Sequence, residues 1–181
     1  GFVGGIVGQL TTGASVVNSS IFSNSQVSGS EELTAIGEGV GGIVGFNSSG
    51  IIENCNSTAK ITAQAVAGGI VGDNGVDGQI INSYSKGEVG VTANYAGGIT
   101  GKNYGTITNT YSLATITADR YAGGLVGYND GTIMNSYAFS TVLATTELSG
   151  SLYGQNDEAS LVENNWCTGS DSQCSENQLE I

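Results

Sequence analysis

A Gly-Gly-[Ile/Leu]-x-Gly unit recurs along this chain at Gly4–Gly8, Gly41–Gly45, Gly68–Gly72, Gly97–Gly101 and Gly123–Gly127, with a degraded sixth copy at Gly150–Gly154. Measured between second glycines, with Ser151 standing for the last, the steps are 37, 27, 29, 26 and 27 residues. A unit of this length cannot enclose a core by itself, so it must stack on its neighbours. The repeat therefore dictates the architecture before any single residue is considered.

The inside of each repeat narrows the choice further. An asparagine follows the second glycine by five residues: Asn47, Asn74, Asn103, Asn129 and Asn156. A second comes six to eight residues later, at Asn54, Asn82, Asn109, Asn135 and Asn164, with Asn18 in the first copy. Seven residues beyond four of these lie Ile61, Val89, Ile116 and Val142. Fixed intervals are what paired strands demand, because a slip of one residue turns every side chain to the opposite face. Variable intervals are what corners tolerate. The expectation is an all-β, parallel β-solenoid with three short strands per coil and about six coils of roughly 27 residues, spanning residues 1–166. At the usual strand spacing such a stack is about 30 Å long.

Columns of equivalent residues assign the faces. Ile6, Ile43, Ile70, Ile99, Leu125 and Leu152 are always Ile or Leu and should point inward. The next column, Val7, Val44, Val71, Thr100, Val126 and Tyr153, admits Thr and Tyr and is expected to face out. Val16, Ile51 or Ile52, Ile80, Ile107 and Ile133 belong to the second strand, and Ile61, Val89, Ile116 and Val142 to the third. The asparagines belong at corners. Asn tolerates the left-handed backbone, and stacked Asn side chains can hydrogen-bond along the stack. They are therefore expected to be structural ladders rather than ligand sites. The first coil departs from the pattern, with Leu10 in place of the first Asn and Val27 two residues late.

Composition excludes several functions. The 181 residues include 30 Gly, no Pro and a formal net charge of −12, with only Lys60, Lys86, Lys102 and Arg120 positive. Nucleic acid and anionic lipid both need clustered cations, so neither is an expected partner. No apolar run is long enough for membrane insertion. The absence of His rules out a Ser-His-Asp triad, a Cys-His pair and an HExxH zinc site. The chain opens within a repeat, at Gly1-Phe2-Val3-Gly4-Gly5, which suggests that further polypeptide of a parent protein adjoins the N-terminal end.

The run from Ala122 to Ala138, AGGLVGYNDGTIMNSYA, resembles the GLUG motif, whose core reads Gly-Leu-x-Gly. Asn-[Ser/Thr]-Tyr-[Ser/Ala] recurs at Asn82–Ser85, Asn109–Ser112 and Asn135–Ala138, as in that repeat family. The resemblance covers nearly the whole chain and weakens in the first coil and after Gly150. It implies a β-solenoid segment of large bacterial surface or secreted proteins, adhesin-like proteins and the non-catalytic part of IgA-specific metallopeptidases among them. It brings no catalytic residue and no cofactor.

Position in the repeat also constrains the acids, cysteines and aromatics. Glu53, Asp77, Asp119, Asp130, Asp157 and Glu158 share no column, which argues against the paired carboxylates of glycoside hydrolysis. The Gly-Gly-x-Gly-x-Asp calcium repeat is missing, leaving only an adventitious ion near Asp73 and Asp77 or near Asp157 and Glu158. Cys55 shares a column with Ser83, Thr110 and Ser136 and reads as a small packing residue. Cys167 and Cys174 enclose six residues and are expected to close a disulfide loop in a C-terminal capping hairpin and tail, residues 167–181. Tyr84, Tyr111, Tyr137 and Trp166 form an aromatic column that either covers a core edge or binds sugar rings. The ten extra residues of the first coil, Ser30–Gly39, are an irregular excursion that could carry a contact or cap the stack.

The functional expectation is a non-catalytic stalk or adhesin segment, extracellular or on a bacterial surface, whose partner is a host or cell-surface protein or a glycan. The alternatives are a polysaccharide-binding or polysaccharide-processing β-helix and an ice-binding solenoid. The last would need a flat Thr-x-Thr array, and on the third strand only Thr115-Ile116-Thr117 provides one.

Overall fold

The computed structural model describes residues 1–22, 25–29 and 39–168, and among them all regular structure is β-strand. The chain winds as a parallel β-solenoid. The third coil shows the plan. Its segments are Val66–Gly68, Val71–Asn74, Gln79–Ile81, Tyr84–Ser85 and Glu88–Val91. Each pairs in parallel with its equivalents above and below, for example Val66 with Tyr95, Asn74 with Asn103, Ile80 with Ile107, Tyr84 with Tyr111 and Val89 with Ile116. Numbered in that order around the coil, the first four sheets have six strands and the fifth has five.

The three strands expected per coil correspond to the second, third and fifth sheets. The first and fourth were not legible, because two or three residues are too few to display a period of two. Their inward positions are also small, Ala67, Ala96 and Ala122 in the first sheet and Ser57, Ser85 and Ser112 in the fourth. Small residues do not announce a buried strand.

The glycine unit makes the turn between the first and second sheets. A Cβ on Gly68 would overlap the carbonyl oxygen of Val71, across the turn. A Cβ on Gly69 would collide with the carbonyl of Gly98, the same position one coil on. That second clash explains the degraded copy, since Ser151 is the last member of its column and has no described coil beyond it. The third glycine acts between sheets. A Cβ on Gly72 would lie 2.6 Å from the Val40 nitrogen, so the second sheet rests backbone to backbone on the first.

The column after the inward Ile and Leu does not face out. Val44, Val71, Thr100 and Val126 are fully buried, not outward. Ile70 N and Val71 N both donate to the Ile99 carbonyl, at 2.9 and 3.0 Å. Two donors on one acceptor insert an extra residue into the alternation, as a β-bulge does, so adjacent side chains both turn inward. Thr100 is accommodated because its hydroxyl donates to the Lys102 carbonyl at 2.8 Å.

Close contact of the first two sheets divides the interior in two. One core lies among the second, third and fourth sheets and contains Ile43, Ile52, Ile70, Ile80, Ile99, Ile107, Leu125 and Ile133. The other lies between the first and fifth and contains Val40, Ile61, Ala67, Val89, Ala96 and Ile116. Ile52, rather than the exposed Ile51, is the inward member of its pair. Ile6 heads its column at the end of the stack and is 45% exposed, whereas Ile43, Ile70, Ile99, Leu125 and Leu152 are fully buried.

Candidate functional site: polar ladders, aromatic columns and a corner saddle

The first asparagine column closes the corner after the second sheet. Asn47 Nδ2 donates to Asn74 Oδ1 at 2.9 Å, Asn74 to Asn103 at 2.9 Å, Asn103 to Asn129 at 2.8 Å and Asn129 to Asn156 at 2.8 Å. The second amide hydrogen is directed into the corner, as from Asn47 to the Gly50 carbonyl at 3.0 Å. Both donors of each interior amide are thus engaged, and its oxygen accepts from the preceding asparagine within the buried ladder. Leu10 heads this column and packs beneath Gly50.

The second column differs. Asn18, Asn54, Asn82, Asn109, Asn135 and Asn164 have φ between 50° and 54°, the left-handed region, and break the chain between the third and fourth sheets. The residues that follow build a buried ladder of their own. Cys55 N donates to Ser83 Oγ, Thr110 N to Ser136 Oγ and Ser136 N to Asn165 Oδ1, at 2.9 to 3.1 Å. Burial pushes the Cys55 thiol pKa up, which makes it a poor nucleophile.

Tyr84, Tyr111 and Tyr137 stack face to face at 4.7 and 4.9 Å, with Trp166 next in register. Tyr111 is covered on both faces, and the stacking turns the ring faces along the column, whereas a sugar ring needs a free face. A second stack joins Tyr95 to Tyr121 at 5.2 Å. The cations sit on these rings. Lys86 lies 5.1 Å from the Tyr84 centroid, Lys102 5.2 Å from Tyr95 and Arg120 5.3 Å from Tyr121. Lys60 pairs with Glu88 at 2.7 Å.

The acids are scattered over the coils, with two exceptions to the sequence reading. Asp130 and Asp157 share a column after all, directly following the paired Asn129 and Asn156. Asp73, on the second sheet between Phe46 and Lys102, is 2% exposed and its Oδ1 has no hydrogen-bond partner. Burial raises its pKa to about 6, against the pull of Lys102. Asp77 is exposed at a corner, and among the described residues no group of three or more His, Cys, Asp or Glu could hold a metal.

Corner length shapes the surface between the second and third sheets. Five residues separate Asn74 from Ile80, and five separate Asn156 from Val162. In the two coils between, three suffice. Tight turns, with Gly78 N on Gly75 O at 2.8 Å and Ser160 N on Asp157 O at 3.2 Å, raise the longer corners into lips. The saddle between them is a groove of about 250 Å³ lined by Val76, Tyr104, Thr106, Asp130, Thr132 and Leu161. Only the uneven interval hinted at it in the sequence.

Cys167 is buried at the end of the fourth sheet, opposite Ala138. Cys174 and most of the first-coil excursion, residues 30–38, lie outside the described residues. No helix among the described residues is long and apolar enough to cross a membrane.

The family model for the GLUG motif matches residues 36–62 and 118–143. The chain is also similar to halomucin of Haloquadratum walsbyi, 32% identical over 119 residues. That match covers 63% of this chain and 1% of halomucin, so the chain corresponds to a very small part of that relative. No solved structure matches.

Proposed function

We propose that this solenoid is a non-catalytic structural and interaction module, a rigid stalk or adhesin segment of a larger surface or secreted protein. The observation that carries the proposal is the unbroken ladder from Asn47 to Asn156, which commits the polar groups of one corner in coil after coil to holding the stack together. The GLUG match at two separate stretches and the likeness to halomucin, of which this chain covers 1%, support the reading. The aromatic columns favour packing over polysaccharide binding, because their ring faces are stacked on each other.

An epitope inserted in the exposed corner at Asp77, within the full-length parent protein, tests location. Labelling of intact cells, or recovery from the medium, is expected. An epitope reached only after lysis refutes an exterior module. Release of reducing ends from a polysaccharide panel by the purified segment would refute the non-catalytic reading.

A further inference from the structure

The saddle deserves a partner that the rest of the surface does not invite. Its walls are apolar and exposed: Val76 is 76% exposed and Leu161 45%. Its floor carries the half-buried ring of Tyr104 and the exposed carboxylate of Asp130, flanked by Asp77 on one lip and Asp157 and Glu158 on the other. No Lys or Arg lines it.

The fold itself shows what such a setting accepts. Lys86, Lys102 and Arg120 each lie over a tyrosine ring of this chain, and Lys60 and Arg120 face carboxylates, at 2.7 and 3.6 Å. All four cations of the sequence are thus engaged away from the saddle. Tyr104 and Asp130 combine an aromatic ring and a carboxylate at one groove without a cation of the chain's own.

We propose that the saddle is a docking site for a lysine- or arginine-bearing segment of a partner protein. Val76 and Leu161 hold the aliphatic stem, as apolar surface commonly does for long basic side chains. Tyr104 and Asp130 take the charged head, through cation–π attraction and an ion pair. A groove of about 250 Å³ holds one such side chain and the backbone either side of it. The surrounding acids leave the potential negative. The Tyr104 phenol is held protonated, with its pKa raised to about 12 by burial first and then by Asp73 and nearby groups that include Asp130. This site rests on the reading of the chain as an interaction module.

The test uses the peptide acetyl-Gly-Leu-Lys-Val-Gly-amide and its Nε-acetylated twin, titrated into ¹⁵N-labelled protein at 150 mM NaCl. Amide shifts are expected at Gly105, Thr106, Gly131, Thr132 and Leu161, with at least tenfold weaker binding of the acetylated peptide. Asp130→Asn and Val76→Ser should each weaken binding about fivefold or more. Glu53→Gln, the same charge change three coils from that of Asp130, should leave it unaltered. Far-UV circular dichroism of each variant confirms that the solenoid is intact. Shifts spread over all acidic faces, or an equal loss in Glu53→Gln, would overturn the site by reducing it to general attraction. Absence of shifts in the folded protein would also overturn it. Either result leaves the stalk reading standing, whereas a surface epitope protected in intact cells removes that reading without touching the peptide result.

Discussion

Replacing Asp73 with Asn should stabilise the protein near neutral pH, and the gain should vanish in acid. In the fold the Asp73 pKa rises from 3.8 to about 6, because burial disfavours the charged carboxylate more than Lys102 favours it. The folded state therefore binds the proton more tightly than the unfolded chain. Stability tied to this group is complete below the unfolded pKa and is lost as pH climbs through the folded one. A shift of about 2 units at about 1.4 kcal/mol each amounts to roughly 3 kcal/mol of destabilisation at pH 7, against about 0.5 kcal/mol at pH 4. Burying an Asn amide carries a cost of its own, but that cost does not titrate. The informative quantity is thus the difference in unfolding free energy between variant and wild type, measured by urea melts at pH 4 and pH 7. It should move by about 2 kcal/mol in the variant's favour over that interval. A difference that stays flat would mean that Asp73 is solvated in solution and that the neighbouring coils do not close over it.

Ile99 is fully buried in the central column, so Ile99→Ala should cost about 2–5 kcal/mol in the same melts. A loss under about 1 kcal/mol would put the residue on the wrong face. Asn109 has φ 54°, so Asn109→Ala should cost about 1–2 kcal/mol while Asn109→Gly stays within a few tenths. Equal costs for the two would show that the side chain, not the backbone, matters there. Cys167 and Cys174 are expected to be joined, and non-reducing mass spectrometry of secreted material showing two free thiols would refute the bond.

The fold class was legible because its signal repeats. A column such as Ile43, Ile70, Ile99 and Leu125 averages away local accident, and the constant interval to Asn47, Asn74 and Asn103 states the register directly. The left-handed corner at Asn82 and its equivalents was legible for the same reason, since few residues other than Asn and Gly tolerate that backbone. A pattern along one strand could not reveal how two strands meet. The burial of Val71 depends on two nitrogens sharing the Ile99 carbonyl, which lies in the next coil. The divided core depends on Gly72 resting on Val40 of the preceding coil. The saddle and the buried Asp73 are likewise properties of stacking. The lips matter only because shorter corners lie between them, and a carboxylate loses its water only when neighbouring coils close over it. What repeats from coil to coil could be read along the chain, because hydrogen-bonded register makes each coil resemble the next. The burial of Val71 and Asp73 came only with stacking, since it is set by contacts between coils and between sheets that no interval along the chain encodes.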